Sequence, residues 1–364
     1  MSWTYEIVDT RSGVRQSRVF PASGSWKRVL NGSGSGQHTF QLGDRAMTRE
    51  SWRALTNPWT RTLVVCRNGL PVYAGLITSR PYDYDTTTLT VHHSDIRFLL
   101  SSRFPFGVTS YHGGTLVCTS LSLRSIAGRV VQAGLLGPRD TYPLPIVLPT
   151  LTEVGSVSRT YDAWNFQTVA DALDDLQKTD GGPDIDFEPR WSTTGTLEYV
   201  MRTGTPATPL LGGNLFDFNM AGTEPPLTGV GVLEDGSAQV SGVFILGQGS
   251  EADMIVGGIP AGTELPGIIP ARDVTQAFKT VTTEAAAGAM AVAASAALYG
   301  LTKQWDFKMV ANDAVPIESL RLGSTLRLNF LNDPWIADGW SSLRLIGLSG
   351  DMSETVTPIV QGSV

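Results

Sequence analysis

Two stretches of the chain share one layout, and that layout decides the predicted fold. The first is TLVVCRNGLPVYAGLITS (Thr62–Ser79), and the second is PIESLRLGSTLRLNF (Pro316–Phe330), which continues through the turn LNDPW into the strand SSLRLIGLS. Each stretch places a strand, a turn of Gly, Asn or Pro, and a second strand before a Thr-containing closing strand, TTTLTVHHS or TVTPIVQ. The order of strands and turns, more than residue identity, predicts two related small β-barrels.

The turn chemistry and the apolar spacing support strands in both stretches. In the first, short apolar runs are separated by Asn68-Gly69, a dipeptide that favours a tight β-hairpin. In the second, Leu326, Leu328 and Phe330 alternate with polar residues, as in a strand with one buried face. We therefore expect a hairpin followed by a third strand in each unit.

The composition favours β-structure in more than one domain. A chain of 364 residues is longer than one hydrophobic core usually requires, and only 17% of its residues are charged. Between the two stretches, residues 119–136 and the segment NFQTVADALDDLQK have helical periodicity, and the strands DIDFEPRW and TLEYVMRTG follow. The predicted fold class is mainly β with an α+β insert.

The predicted domain boundaries follow from these changes in composition and hydrophobic periodicity. We predict a first β-barrel over 1–104, an α+β insert over 105–220, a β-rich connection and start of the second barrel over 221–270, an Ala-rich helical segment over 271–304, and the remaining strands of the second barrel over 305–364.

The sequence offers little for catalysis, and we predict that the protein is not an enzyme. It has four His, and it lacks a Gly-x-Ser-x-Gly elbow, a His-Glu-x-x-His motif and a Cys-x-x-Cys motif. Gly32–Gly36 lacks the Lys-Ser/Thr of a phosphate loop, and adjacent His92 and His93 point to opposite faces of a strand. We expect no catalytic residue, no cofactor and no metal, and we expect Cys66 and Cys118 to be buried, reduced thiols.

An acidic strand is the one segment with a possible catalytic interpretation. Asp184, Asp186 and Glu188 alternate along DIDFEPRW and so share one face. A metal site or a glycosidase could use such carboxylates. A solvated strand face accounts for the pattern equally well and is the interpretation we favour.

The segment Ala285–Leu301 is free of charge over 17 residues, which raises the question of membrane insertion. Ala and Gly contribute little transfer energy, and Glu284 and Lys303 flank the segment closely, so we expect a buried or interfacial helix and no membrane insertion. The N-terminus does not resemble a signal peptide.

Small side chains allow close approach between helices, and tryptophans flank the turn after the second stretch. The predicted interface residues are Ala287, Ala291, Ala294, Trp335 and Trp340.

Two loops, Phe104–Gly114 and Pro260–Pro270, are long enough to reach partners. The alternative interpretation of both loops is that they are solvated connectors and contact no partner. For Trp335 and Trp340 the alternative is packing within the second barrel.

Taken together, the strand pair VVCRNGLPVYAGLITSRPYDYDTTTLTVHHSD, the insert ending in GGPDIDFEPRWSTTGTLEYVMRTG, and the C-terminal LGSTLRL and DGWSSLRLIGLS are similar to the tail-hub minor tail proteins of long-tailed bacteriophages. The resemblance spans nearly the whole chain and extends to baseplate hubs and to the N-terminal hub region of tail-associated proteins. It implies a homotrimer whose six barrels form a ring that continues the hexameric tail tube and meets threefold parts of the tip.

The resemblance also implies location and partners. We expect a structural virion protein at the tail tip, assembled in the host cytoplasm, in contact with a distal tail protein or tube ring above it, the tape-measure protein, and other tip or fibre proteins. Members often carry a C-terminal peptidase, lysin or receptor-binding domain. Val364 follows the last predicted strand closely, so we expect none here.

The net charge agrees with passage of DNA rather than its binding. A charge of −7 disfavours tight contact with phosphates, since such contact depends on Lys and Arg. A different class of function remains open, namely a carbohydrate-binding or adhesin-like β-protein of the tail tip with aromatic side chains on one exposed face. A glycan-hydrolysing enzyme, resting on the acidic strand alone, is the third hypothesis.

Overall fold

The computed structural model describes residues 2–42, 47–106, 114–136, 143–222, 225–259, 270–310 and 316–362. The chain divides into two compact units, one formed by residues 1–229 with 306–364 and the other by 230–305. Strands outnumber helices in both units, and the predicted fold class, mainly β with an α+β insert, is confirmed.

The first half of the chain contains two groups of elements. The N-terminal group is β1 (Trp3–Asp9), β2 (Arg15–Val19), β3 (Ser23–Val29), β4 (Ser35–Gln41), α1 (Arg49–Leu55), β5 (Arg61–Arg67), β6 (Leu70–Ser79), β7 (Tyr82–Asp83) and β8 (Thr88–Ser94). The insert is α2 (Ile96–Leu100), β9 (Leu116–Leu121), α3 (Leu123–Leu136), β10 (Ile146–Val147), β11 (Val157–Tyr161), α4 (Val169–Lys178), β12 (Ile185–Trp191) and β13 (Leu197–Thr203).

The second half begins and ends with strands. Its elements are β14 (Leu215–Asn219), β15 (Leu227–Asp235), β16 (Gly242–Leu246), β17 (Val256–Ile259), β18 (Asp273–Ala277), α5 (Glu284–Leu298), β19 (Thr302–Val310), β20 (Thr325–Phe330), β21 (Gly339–Asp351) and β22 (Thr355–Gly362).

One 14-stranded sheet contains the same strand arrangement twice. The first set runs β1-β5-β6-β8-β4-β3 across the sheet, and the second runs β14-β20-β21-β22-β19-β15. The strands also follow one another in the same order along the chain in both sets. The sets differ at one edge, where β1 pairs antiparallel with β5 but β14 pairs parallel with β20. The predicted duplication is therefore present as topology, while closure of each set into a barrel stays a prediction.

The predicted hairpin between β5 and β6 has the expected turn. Asn68 and Gly69 both have positive φ, 50° and 80°, and Arg67 pairs with Leu70 across the turn. Positive φ at both central residues matches the right-handed twist of the two strands. Local sequence alone therefore determines this turn.

The insert has its own helical layer. Thr168 caps α4 through a capping box with Asp171, so this helix begins at Val169, after Phe166 in the left-handed region. Val130 of α3 and Leu173 of α4 are buried in one cluster. The helix predicted over 119–136 begins only at Leu123, because Leu116–Leu121 pairs with β11 as a strand.

The unit of residues 230–305 consists largely of a three-stranded sheet, β17-β16-β18, packed against α5. The backbone at Gly257 approaches α5 so closely that a Cβ there would lie 2.2 Å from the Gly288 nitrogen. The predicted boundary at 270 therefore falls inside one compact unit. Of the helices that the structure describes, none has the length and apolarity to cross a membrane.

Candidate functional site at the junction of the two strand sets

The two strand sets join edge to edge through β3 and β21. Their pairing is antiparallel, from Gly347 opposite Val29 to Asp351 opposite Ser25. Gly350 lies against the ring of Trp26, where a Cβ would come within 2.9 Å of the indole. Because residue 350 has no side chain, β21 can pair with β3 at Trp26 while the indole of Trp26 occupies the space beside Gly350. We call this contact the junction.

Aromatic and charged side chains of the first set extend the junction to the β21–β22 hairpin. Trp26 is 1% exposed and stacks on Tyr73 at 6.1 Å. The Nε1 of Trp3 donates to the backbone carbonyl of Ser353 at 2.8 Å. Arg67, whose side chain is buried, forms an ion pair with Glu354. The end of the shared edge near Asp351 is therefore held by side chains as well as by strand pairing.

The acidic strand β12 packs beside the junction. Asp186 accepts hydrogen bonds from Arg28 of β3 at 2.7 Å and from Arg202 of β13 at 3.3 Å. Charge-assisted bonds of this kind are the strongest that a carboxylate forms in proteins. The carboxylate thus connects the insert to the first strand set.

The neighbouring carboxylates reach the second strand set. Asp184 forms an ion pair with Arg344 of β21 and accepts from the backbone nitrogen of Leu211 at 2.8 Å. Glu188 forms an ion pair with Arg321, which precedes β20, at 3.0 Å. Alternation from Asp184, which directly precedes β12, to Glu188 places all three carboxylates where arginines from separate parts of the unit meet.

The favoured interpretation of this strand as a solvated face is wrong. Asp184 and Asp186 are each 4% exposed, and both are paired with arginines. The physical reason is that a buried carboxylate requires a compensating cation, which here comes from distant parts of the sequence. The same pairing leaves no free carboxylate pair for a glycosidase mechanism at these two residues.

Sequence reasoning did not identify the arginines that complete this site. Arg28 lies in SWKRV at a buried position of β3 beside the exposed Lys27, and Arg344 lies in SLRLIG between Leu343 and Leu345 of β21. A cation on a strand that should be buried is the signal that could have predicted an ion pair, since such a charge must be compensated.

Two buried histidines lie behind the junction, in the first strand set. His38 Nδ1 and His93 Nε2 are 2.8 Å apart, and His93 Nδ1 lies 3.0 Å from the hydroxyl of Tyr73. Burial lowers the pKa of His38 to about 4 and holds the pKa of His93 well below its usual value. Both imidazoles are therefore neutral at pH 7. One hydrogen bond joins the two rings, and a second joins His93 to the Tyr73 hydroxyl.

Acid should destabilise the fold through this pair. Because the folded-state pKa of His38 lies below the unfolded value of 6.5, the stability it contributes is present above pH 6.5 and is lost as pH falls toward 4. Relative to the variant His38→Gln, the wild type should lose about 1 kcal/mol for each pH unit in this range. Urea unfolding of both proteins at several pH values measures the difference.

The comparison with the variant is needed because a carboxyl group acts in the opposite direction. Burial raises the pKa of Asp95 to about 6, so its contribution to stability is present at low pH and is lost as pH rises through about 6. Asp95 is common to both proteins, and its effect cancels in the difference. Equal pH dependence of the wild type and His38→Gln would contradict a buried neutral His38.

The predicted interface residues fall into two groups. Ala287 and Ala291 are buried against the sheet of their own unit, with Ala294 partly buried beside them, so the first two side chains are not exposed to another subunit. Trp335 is 75% exposed, and Trp340 is half exposed with the guanidinium of Arg327 over its ring. The two tryptophans keep their predicted interface role as a proposal.

The loop predictions Phe104–Gly114 and Pro260–Pro270 lie largely outside the described residues.

Cys66 and Cys118 are free and buried, as predicted, and burial raises the pKa of the Cys66 thiol to about 12. In the part of the chain that the structure describes, no group of three His, Cys, Asp or Glu side chains could hold a metal ion.

Exposed aromatic side chains bear on the sugar-binding alternative. Phe104, Phe106 and Phe166 form a cluster with ring centroids 5.0 to 5.8 Å apart, and Trp164 near it is exposed. The rings of this cluster contact one another, with Phe104 and Phe106 stacked in parallel. The other exposed tryptophans, Trp59, Trp335 and Trp340, belong to separate segments of the sequence.

Comparison with known proteins identifies the fold. No family model matches the chain, and no curated protein matches it in sequence. Among solved structures, it is similar to a tail protein from Neisseria meningitidis MC58, with a TM-score of 0.58 and 15% identity over 100% of this chain and 97% of that one.

Two further tail proteins share the fold over almost their full lengths. The 43 kDa tail protein of prophage MuSo2 from Shewanella oneidensis gives a TM-score of 0.56 at 13% identity, covering 98% of each chain. Prophage tail protein gp18 from Listeria monocytogenes EGD-e gives 0.51 at 8% identity, covering 98% of this chain and 94% of that one. The chain therefore has the fold of phage tail proteins.

Proposed function

We propose that this protein is a structural hub of a phage tail, forming a homotrimeric ring at the distal tip. Each chain contributes two strand sets of the same topology, so three chains present six equivalent positions. Such a ring continues the hexameric tail tube on one side and meets threefold parts of the tip on the other. The protein then acts as a symmetry adaptor rather than as an enzyme.

The observation that carries this proposal is the repeated strand order within one chain. A closed ring requires the same heterologous contact at every step around the axis. A chain with two copies of one topology makes one such contact internally, at the junction, and leaves the corresponding edges for its neighbours. The fold shared with three phage or bacterial tail proteins supports the same role.

The charged residues of the junction suit this role. Asp184, Asp186 and Glu188 connect the insert to β3, to β21 and to the segment before β20 through separate arginines. Such a network keeps the two strand sets in one orientation, and that orientation determines whether six positions close into a ring. The net charge of −7 also suits a channel that DNA crosses without stable contacts.

The partners of the proposed hub are a distal tail protein or tube ring above it, the tape-measure protein, and other tip or fibre proteins. The location is the tail tip of the virion after assembly in the host cytoplasm. These assignments follow from the proposed role of a hub.

Electron microscopy of the tail tests the proposal. The expected reconstruction has a threefold ring at the tip, with six lobes around a channel and density that fits this chain three times. A particle in which the chain occupies one copy, or lies outside the tail axis, would contradict it.

The same experiment separates the second candidate function. A carbohydrate-binding protein of the tip would lie peripherally and present an aromatic surface, for which the Phe104, Phe106 and Phe166 cluster is the best candidate. Glycan binding that disappears in Phe166→Ala would favour this function over the hub.

A further inference from the structure

The junction inside one chain shows how a second strand set contacts a first. The strand β3 pairs with β4 at one edge and with β21 at the other. Its counterpart in the second set, β15, pairs with β19 at one edge. Among the described residues no strand pairs with the other edge of β15. The edge that makes the junction in the first set is thus unoccupied in the second.

The counterpart of β21 in the first set is the arm formed by β6 and β7. The strand β6 pairs with β8, and β21 pairs with β22. Each pairing has a register shift near its start, between Ile77 and Ser79 in β6 and between Leu345 and Gly347 in β21. Near the end of the pairing, Asp83 lies opposite Thr88 as Gly350 lies opposite Val356. The segment Tyr82–Tyr84 therefore corresponds to Ser349–Asp351.

In β21, Ser349–Asp351 belongs to the segment Gly347–Asp351 that pairs with β3. The corresponding arm in the first set is exposed on that side. Tyr84 is 82% exposed, and Tyr82 is half exposed. Tyrosine at this density on a surface is typical of protein interfaces, because it provides apolar area together with a hydrogen-bonding group. The arm pairs with β8 at one edge, and its Arg80 donates to the Arg53 carbonyl and to the Thr56 hydroxyl at the end of α1. Among the described residues no strand pairs with its other edge.

The composition of the free edges supports a partner for β15. The terminal strand β2, RQSRV, carries Arg15 and Arg18, charges of the kind that protect a free edge from pairing. The strand β15, LTGVGVLED, has no charge before Glu234, and its Leu233 is exposed. An uncharged, apolar free edge pairs readily with another strand. The protein thus protects one terminal strand of the sheet and leaves the other available.

We propose that β15 of one copy pairs antiparallel with the arm Ser79–Tyr84 of a second copy, repeating between chains the contact that β3 and β21 make within one chain. This inference rests on the proposed hub function and identifies the surface through which copies associate. Three contacts of this kind alternate with three internal junctions, and together they close a ring of six strand sets. The antiparallel direction follows from the direction of the internal pairing.

Engineered cysteines test this contact directly. Gly231 and Leu233 are exposed positions of β15 that alternate with half-buried ones, and Tyr82 and Tyr84 are exposed positions two residues apart on the arm. Four double variants combine Gly231→Cys or Leu233→Cys with Tyr82→Cys or Tyr84→Cys, which samples the possible registers. The native Cys66 and Cys118 are buried and do not compete. Mild oxidation of the purified full-length chain at high concentration is followed by non-reducing electrophoresis.

The expected result is disulfide-linked species up to a trimer in at least one double variant. The matched control combines Tyr84→Cys with Val154→Cys, an exposed apolar position in the insert. It should form no more disulfide-linked oligomer than the variants that carry one of these cysteines alone. Circular dichroism of each variant verifies the fold. Because the Leu233 and Tyr84 side chains are 54% and 82% exposed, the double variant Leu233→Cys/Tyr84→Cys remains informative if another variant misfolds.

A charge variant gives an independent measurement. Leu233→Lys should reduce the population of species heavier than one 39.0 kDa chain at least tenfold in sedimentation velocity, while Val154→Lys should not. Absence of disulfide-linked oligomers in all four double variants overturns the inference, whether the wild type is trimeric or monomeric. The hub function is tested separately by the tail reconstruction, so a threefold ring without these cross-links would contradict only the β15 contact.

Discussion

Replacing Asp186 by Ala should lower the free energy of unfolding by about 3 kcal/mol or more. The carboxylate is 4% exposed and pairs with both Arg28 and Arg202. Removing it leaves the largely buried guanidinium of Arg28 without its counter-ion, and leaves Arg202 paired with Glu188 alone, at 3.7 Å. Breaking a buried ion pair from one side costs more than the pair itself contributes, because the remaining charge must be accommodated in a medium of low dielectric.

The chain supplies a matched control at its surface. Asp217 of β14 pairs with Arg327 of β20 at 2.5 Å, and both side chains are more than a third exposed. Water already solvates much of this pair, so Asp217→Ala should cost less than about 1 kcal/mol. Urea unfolding at pH 7, followed by tryptophan fluorescence, compares the two variants. Eight of the nine tryptophans lie outside residues 230–305, where Trp305 is located, so the signal reports on the unit that contains both ion pairs.

The two outcomes have different meanings for the site. A large loss for Asp186→Ala with a small loss for Asp217→Ala supports β12 as the element that holds the two strand sets together. Equal and small losses would contradict a buried network. A change in the slope of the urea dependence, without a shift of its midpoint, would instead indicate that the compactness of the folded or unfolded state had changed.

The sequence predicted those parts of the fold that short segments determine. The hairpin at Asn68-Gly69 and the alternation of Leu326 and Leu328 depend on neighbouring residues, and the structure contains both. The acidic strand was misinterpreted because its partners are remote: Arg28 and Asp186 are 158 positions apart in the sequence, and Asp184 and Arg344 are 160 positions apart. Alternation along a strand reveals which residues share a face but not which element covers that face.

The Ala-rich helix illustrates the same limit. The uncharged segment Ala285–Leu301 is visible in the sequence, and the structure places the helix at Glu284–Leu298, after its N-cap Thr283. The sheet that buries Ala287 and Ala291 includes β16, about 40 residues earlier, and short apolar strands in a Gly-rich region do not reveal their partners. The sequence therefore predicted the helix but not the compact unit of 230–305 around it.

Replacing Trp26 by Ala should have the second large effect, about 3 to 5 kcal/mol, because it removes the largest buried side chain of the junction. The indole packs between Tyr73 of the first set and Gly350 of β21. Its loss leaves a cavity where β3 pairs with β21, and Gly350 has no side chain with which to fill it. The variant should therefore loosen the contact between the sets as well as lower overall stability.

Trp335→Ala is the control, since Trp335 is 75% exposed and should change the free energy of unfolding by no more than about 0.5 kcal/mol. Hydrogen exchange of the backbone distinguishes a loosened junction from general destabilisation. In Trp26→Ala, amides of β3 and of residues 347–351 should exchange faster than those of β5, which lies away from the shared edge. Uniform acceleration across both sets would contradict a local role for Trp26. Reduced trimer formation by Trp335→Ala at unchanged stability would place this tryptophan at a contact between copies.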